Sequence, residues 1–411
     1  MAIIRAFKGL RPDPKVAHLV ASVPYDVVNK EEAAELCKDN PINFLRATRS
    51  EIEMNKNTDP YSEAVYQKAK ENLNRLITEA PMVTDEEPHF YIYRLVWKEV
   101  IQIGIAATFS VDDYNNDVIM KHEKTRQVKE DDRTNHIVTT NAQTGAVFLT
   151  YNGIEDVNNI VNETISNNDP LFDFKTPDGV EHTFWKVPTE ANDIIEFEIG
   201  KTSKLYIADG HHRAASASRA QKVKMENNQT HTGDEEYNYF MAVLFPAEQL
   251  KILPYNRVVF EFNNLTEETF LEKVKTNFKI EESKFSTPVG KGVIAMYLSK
   301  KWYMLRASEN VTPGAALGDK LDVSILQNFL LDPVLGISDP RSDTNIDFIG
   351  GIRGTKELEK YVDSGAAKVA FSLHPVSVED LINISNAGET MPPKSTWFEP
   401  KLRDGLAVHT I

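Results

Sequence analysis

The sequence has a single cysteine, Cys37, so no disulfide can close within the chain, which fits a reducing compartment. It has no apolar run approaching the ~20 residues that a membrane-spanning helix needs. Its first residues, MAIIRAFKGLRPDPK, turn polar at Lys8 and form no signal-peptide core. The expected location is therefore cytoplasmic, with no membrane partner. Cations are in deficit: 46 Lys and Arg face 61 Asp and Glu, a net charge of -15. That field repels nucleic-acid phosphates on average, so no nucleic-acid partner is expected. An acidic shell around a small basic pocket suits a phosphorylated small molecule, although acidic surfaces also serve solubility alone. Internal repeats are absent as well, which excludes a repeat architecture.

What is present is an ordinary globular balance, 41% hydrophobic and 26% charged over 411 residues. That length exceeds one ordinary core. The patterning divides into a domain over residues 1–250 and a smaller C-terminal domain over 251–411. Helical signals run from Lys30 to Asp39 and stop at Asn40-Pro41. Ala64, Val65, Ala69, Leu73 and Leu76 mark an amphipathic helix within Tyr61–Glu79. Runs at 89–97 and 100–109, joined by Lys98-Glu99, predict a hairpin. Strands are expected at 145–151, 204–208 and 239–246, and a helix at 211–221. Beyond the boundary, strands are expected at 258–262, 293–298, 302–305 and 369–373. Helices are expected there at 266–278, 322–331 and 355–363. Strands in hairpins mixed with helices imply an α+β fold.

The segment richest in chemistry is Tyr206-Ile-Ala-Asp-Gly-His-His-Arg213. Gly210 permits a sharp turn and close backbone approach. The helix after it presents unpaired N–H groups and the positive end of its dipole. Arg213 adds a planar fork suited to phosphate oxygens, and His211 and His212 add donors that titrate near neutrality. The strand-turn-helix is thus an anion cradle without Walker spacing. Adjacent histidines point about 100° apart on a helix, so the pair chelates one metal poorly. A capping and packing role for the histidines remains the plainer alternative. Asp209 is either a helix cap or a ligand for Mg²⁺ beside the reacting hydroxyl.

A second set lies in the polar run from His122 to Arg133. It is either a solvated face laced with exposed ion pairs or a segment closing over a ligand. In the latter reading His122 or Glu123 serves acid–base work, while Lys129 and Arg133 meet phosphate. The turn Pro24-Tyr25-Asp26 and the tail Lys394-Ser395-Thr396 are weaker candidates. Gly350-Gly351-Ile-Arg-Gly354 matches neither Rossmann nor Walker spacing.

Together these segments resemble the domain-of-unknown-function family numbered one thousand and fifteen. The resemblance rests on Pro24-Tyr-Asp-Val27, Asn40-Pro41, Asn43-Phe-Leu-Arg46 and His122-Glu123 with Thr125, Lys129, Asp132 and Arg133. It continues through Tyr206 to Arg213, Ile252-Leu-Pro254 with Arg257, and Met391-Pro-Pro-Lys-Ser-Thr396. The Asp-Gly-His-His-Arg box is also similar to the phosphate box of the ParB/sulfiredoxin-like superfamily, most closely to that of free-serine kinases. This resemblance implies a ParB/sulfiredoxin-like nucleotide-binding core, completed by a tail that returns to the site. Gly210, His211, His212 and Arg213 would hold the phosphates of ATP or ADP; because two or more phosphates carry more charge than one helix end and one arginine offset, Lys129, Arg133 and Lys394 are expected to supply further cations. Asp209 would hold Mg²⁺ beside the transferred group. Glu123, His122 and Asp26 are the candidates for the catalytic acid that the resemblance leaves unplaced. His211 stands where sulfiredoxins have their cysteine, which disfavours sulfinic-acid repair. The expected activity is nucleotide-dependent phosphoryl transfer to a small hydroxyl-bearing metabolite such as an amino acid. The alternatives are a nucleotide-binding switch without turnover and a phosphate-ester hydrolase. A homo-oligomeric state is left open.

Overall fold

Two largely apolar runs within 89–109 form a hairpin of strands Tyr91–Trp97 and Val100–Ser110, with Trp97 opposite Val100. Its two-residue loop places Lys98 at φ 56, the left-handed turn that such hairpins favour. In this computed structural model, which describes Met1–Ile411, the hairpin lies in a nine-stranded mixed sheet. The strand order is Ile119–Met120, Leu205–Asp209, Val147–Tyr151, Tyr239–Pro246, Val100–Ser110, Tyr91–Trp97, Glu181–Lys186 and Phe172–Lys175. Ile4–Arg5 pairs off this path with Val100–Ser110. Two pairs are parallel, Leu205–Asp209 with Ile119–Met120 and Tyr239–Pro246 with Val147–Tyr151; the others are antiparallel. The fold is therefore mixed α/β around a large central sheet.

The sheet belongs to a unit comprising Met1–Lys121, Thr125–Leu250 and Pro400–Ile411. Its core joins Ile105, Phe109, Leu149, Ile207 and Leu244 of the strands to Ala214 and Ala217 of helix His211–Glu226. Small residues on that helix face let its backbone approach the sheet closely, which seats its N-terminus beside the strand ends. A second apolar cluster gathers Leu10, Phe44, Leu73, Leu76 and Val408. Here helix Glu63–Glu79 buries the face that its periodicity marked.

The other unit, His122–Lys124 with Lys251–Glu399, carries a six-stranded sheet. Tyr255–Val259 sits between Val369–Ser372 and Ile346–Gly350, and strands Val293–Leu298, Lys301–Ala307 and Phe278–Ser283 extend the other side. Val258, Ala295, Leu358 and Ala370 lie in its core.

Several expectations shift. The strand expected at 258–262 lies at Tyr255–Val259, because its partners on both sides fix the pairing there. Phe278 opens a strand instead of closing the preceding helix. The helix expected over 322–331 is α-helical only to Leu326 and continues as a π-helical turn, Gln327–Leu331. Elements between Glu155 and Gly200, and helix Val378–Asn386, were not anticipated. The first unit runs to Leu250 in the chain's middle, and the last residues, Pro400–Ile411, belong with it. Backbone pairing explains this. His409–Thr410 pairs with Ala142–Gln143, Val408 with Leu10, and Asp404 with Ser22.

Gly405 adopts φ 89 within that returning segment, and a Cβ there would lie 2.7 Å from Phe44 Cγ. Gly405→Ala combines left-handed strain with this clash. It is expected to lower unfolding stability by about 1–3 kcal/mol in urea titrations. An unchanged midpoint would mean that the segment does not dock on Phe44.

Candidate functional site

Strand Leu205–Asp209 does not run regularly to its end. Ile207 faces Leu149 and Asp209 faces Phe148, so Ala208 is an extra residue in the ladder. Such a bulge re-aims the side chain beyond it. Gly210 follows at φ 92, ψ 30 and starts helix His211–Glu226 without a side-chain cap. The cap position thus falls on Gly210, one residue beyond Asp209. The Asp209 carboxylate accepts from Lys401 Nζ at 3.3 Å and from Arg213 at 3.3 Å.

Arg213 is buried, and its guanidinium bonds the carbonyl of Ala146 as well as Asp209. Asp26 Oδ2 lies 3.8 Å from the same guanidinium. The fork that sequence offered to phosphate is thus largely engaged by the protein. The tight turn has a matching steric cause, since a Cβ on Gly210 would lie 3.0 Å from Arg213 Cζ. These charges bias one another. Burial alone would raise the Asp209 carboxyl, but Lys401 and Arg213 hold it well below the usual carboxylate range. Burial likewise opposes the charge of Arg213, and Asp26 and Asp209 more than restore it. A third carboxylate, Asp404, is buried and pushed up to about 7 by desolvation, against the pull of Arg213.

The N-terminal turn joins the same cluster. Tyr25 is buried, and the Arg133 guanidinium stacks over its ring at 4.1 Å. Arg133 also pairs with Asp132 at 3.1 Å and donates to the carbonyl of Thr48. Tyr25, Arg133, His136, Gly145, Arg213 and Asp404 line a cavity of about 30 Å³. That volume is close to one water's share of the liquid. His212 Nε2 accepts the backbone N–H of Arg126 at 3.0 Å, directly before helix Gln127–Thr140. This bond pins one helix start to another.

The structure therefore gathers Asp26, Arg133, Asp209, Gly210, His211, His212 and Arg213 in one unit. Lys129 lies in that unit too but donates to the Tyr61 hydroxyl at 3.0 Å. His122, Glu123 and Lys394 belong to the other unit. There the His122 carbonyl accepts from Met391 N–H at 2.8 Å, and Glu123 lines a cavity of about 230 Å³ with Arg341 and Met391. The Lys394 carbonyl accepts from buried Arg257 at 3.1 Å. Sequence reasoning missed Lys401 and Asp404. A Lys-Leu-Arg-Asp run near a chain end carries no distinctive spacing, so nothing in it signalled contact with Asp209 or Arg213.

Asp404 generates a pH dependence. Its folded-state pKa of about 7 exceeds its ordinary value of 3.8, so its protonated form favours folding. That contribution is complete below the ordinary value and is lost as pH rises through about 7. Asp404→Asn, a neutral mimic of the protonated acid, should gain stability relative to the parent across this window in denaturant titrations. Parallel pH–stability curves for the two proteins would refute the buried-acid assignment.

Comparison with known proteins gives a family. No curated protein matches the sequence. Among solved structures, a conserved hypothetical protein from Pyrococcus furiosus aligns at 12% identity and TM-score 0.37, covering 74% of this chain and 94% of its own. A free serine kinase in complex with AMP aligns at 12% identity and TM-score 0.39, covering 74% and 91%. SbnI with C-terminal truncation from Staphylococcus aureus aligns at 13% identity and TM-score 0.39, covering 74% and 86%. Likenesses this remote decide neither the activity of this chain nor its ligands. Residues 4–324, by contrast, match the family described as Protein of unknown function (DUF1015), and the chain belongs to that family.

Proposed function

We propose that the unit containing Asp209 is a nucleotide-dependent phosphotransferase that acts on a small hydroxyl-bearing metabolite, such as an amino acid. The observation that carries this reading is the Asp209 carboxylate. It is 32% exposed, held ionised between Lys401 and Arg213, and aimed by a bulge and a left-handed glycine at the head of a helix. Phosphoryl transfer needs positioning and charge neutralisation more than covalent chemistry from the protein. A helix start supplies N–H donors to phosphate oxygens. Lys401 supplies a cation, and Asp209 supplies a hard oxygen ligand of the kind that Mg²⁺ accepts. A carboxylate held this far below neutrality is a weak base, so its role is to hold the metal or orient the hydroxyl. The resemblance of the Asp-Gly-His-His-Arg box to free-serine kinases supports the same assignment, within a ParB/sulfiredoxin-like core. The nucleotide would be ATP or ADP. His211 and His212 would flank its phosphates, with Arg213 and Arg133 setting the potential from beneath.

A second reading is a nucleotide-binding switch without turnover. The engagement of the Arg213 fork by Ala146 and Asp209 favours it, because a fork spent on the protein is not offered to a transferring phosphoryl group.

Two measurements test these readings. AMP, ADP and ATP, each with Mg²⁺, should raise the melting temperature; at 100 times the dissociation constant the linkage is about 2.7 kcal/mol. No shift with any of them would remove both readings. Nucleotide consumption should then depend on an added hydroxyl metabolite and fall by about 10²-fold or more in Asp209→Asn, as expected when a charge-stabilising group is lost. Binding without acceptor-dependent consumption would select the switch, and acceptor-independent consumption a hydrolase.

A further inference from the structure

A second cavity, of about 280 Å³, lies wholly within the unit that contains Lys251–Glu399. It is built from three places in the chain: the turn before strand Val293–Leu298, the segment leading into helix Asp322–Leu326, and the segment from His374 into helix Val378–Asn386. One wall is apolar, formed by Leu321, Ile325, Val376 and Ile384. The polar groups in the lining are Lys320, Asp322 and His374, with the pair Lys291 and Asp380.

These charges are not equally available. Lys291 Nζ contacts both oxygens of Asp380, at 2.6 and 2.9 Å. Asp380 also closes a capping box with Ser377, so that pair serves the helix start. Asp322 differs. Its Oδ1 accepts the Gly292 N–H at 2.8 Å, and no further hydrogen bond within the protein engages the carboxylate, which borders the cavity. Desolvation raises its pKa, although His374 and Lys291 pull the other way. A ligand cation at Asp322 would relieve that cost. Lys320 stands exposed at the rim, and no hydrogen bond or ion pair engages its ammonium. His374 places Nδ1 3.0 Å from the Pro375 carbonyl.

The cavity lining thus combines a carboxylate, an exposed ammonium and apolar side chains. Its volume falls just below the ~300–1,000 Å³ typical of drug-sized ligands, so its occupant is a small metabolite. We infer that this cavity binds a zwitterion with an apolar body, an α-amino acid of the leucine class. Its ammonium meets Asp322, its carboxylate meets Lys320, and its side chain lies against Ile325, Val376 and Ile384. The site is independent of the transferase reading, since every lining residue belongs to the other unit and no reaction is involved.

The test is calorimetric titration of the full chain with four probes. L-Leucine should bind. 4-Methylpentanoate lacks the ammonium and 3-methylbutylamine lacks the carboxylate; each should bind about tenfold more weakly or worse. L-Serine keeps both charges without the apolar body and should also bind more weakly. Asp322→Asn and the surface variant Lys320→Ala should each weaken leucine by about tenfold, with an unchanged circular dichroism spectrum. If Asp322→Asn does not fold, Lys320→Ala alone decides. Absence of leucine binding at millimolar concentration overturns the inference. So does equal binding of either single-ended analogue, or full affinity in Lys320→Ala.

Discussion

The unit that carries the candidate site depends on one buried cation. Arg213 is 7% exposed and has the Ala146 carbonyl, Asp209 and Asp26 around its guanidinium. Those groups come from three separate places in the sequence. A buried charge left without such partners costs about 3–5 kcal/mol, so the segments must converge once the helix has placed Arg213. The pairing also explains the local backbone. The guanidinium lies where a Cβ on residue 210 would sit, so glycine is required there twice over, by sterics and by its positive φ.

Asp209 occupies the boundary between this network and solvent. Its neighbours keep it charged without surrounding it, which leaves an ionised oxygen accessible at a helix start. Asp404, deeper in the same cluster, is displaced in the opposite direction because desolvation outweighs the arginine's pull. Two aspartates beside one arginine thus differ in ionisation because Lys401 bonds Asp209, whereas Asp404 is desolvated without that lysine and faces the charge of Asp26. Opposed environments of this kind give acidic groups separate roles, one holding a charge and the other able to carry a proton.

Binding of the two arginines by protein groups also constrains chemistry. Arg133 is divided among Tyr25, Asp132 and Thr48, and Arg213 among Ala146, Asp209 and Asp26. They shape the electrostatic potential under the turn more than they present donors above it. On the proposed reading, direct contact with an anion would fall to Lys401 and to the histidine-bearing start of the helix.

Much of this was legible in the amino-acid order. Two apolar runs flanking Lys98-Glu99 located the 91–110 hairpin, and helical periodicity located the helix Glu63–Glu79, because those faces bury locally recorded patterns. The Asp-Gly-His-His-Arg run signalled its strand-turn-helix, since a glycine between an apolar strand and an alanine-rich helix admits few backbones. Helix Asn192–Gly200 and strands Phe172–Lys175 and Glu181–Lys186 escaped notice, being short; the two strands pair with each other, and only Glu181–Lys186 joins them to the distant strand Tyr91–Trp97. The bulge at Ala208 and the ionisation of Asp209 and Asp404 were equally invisible. So were the contacts of Lys401, which lies 192 residues from Asp209. Local sequence determines which backbone shapes are cheap and which faces are apolar. Only the tertiary structure decided which charges meet, because desolvation and Coulomb pairing depend on distances that no spacing along the chain encodes.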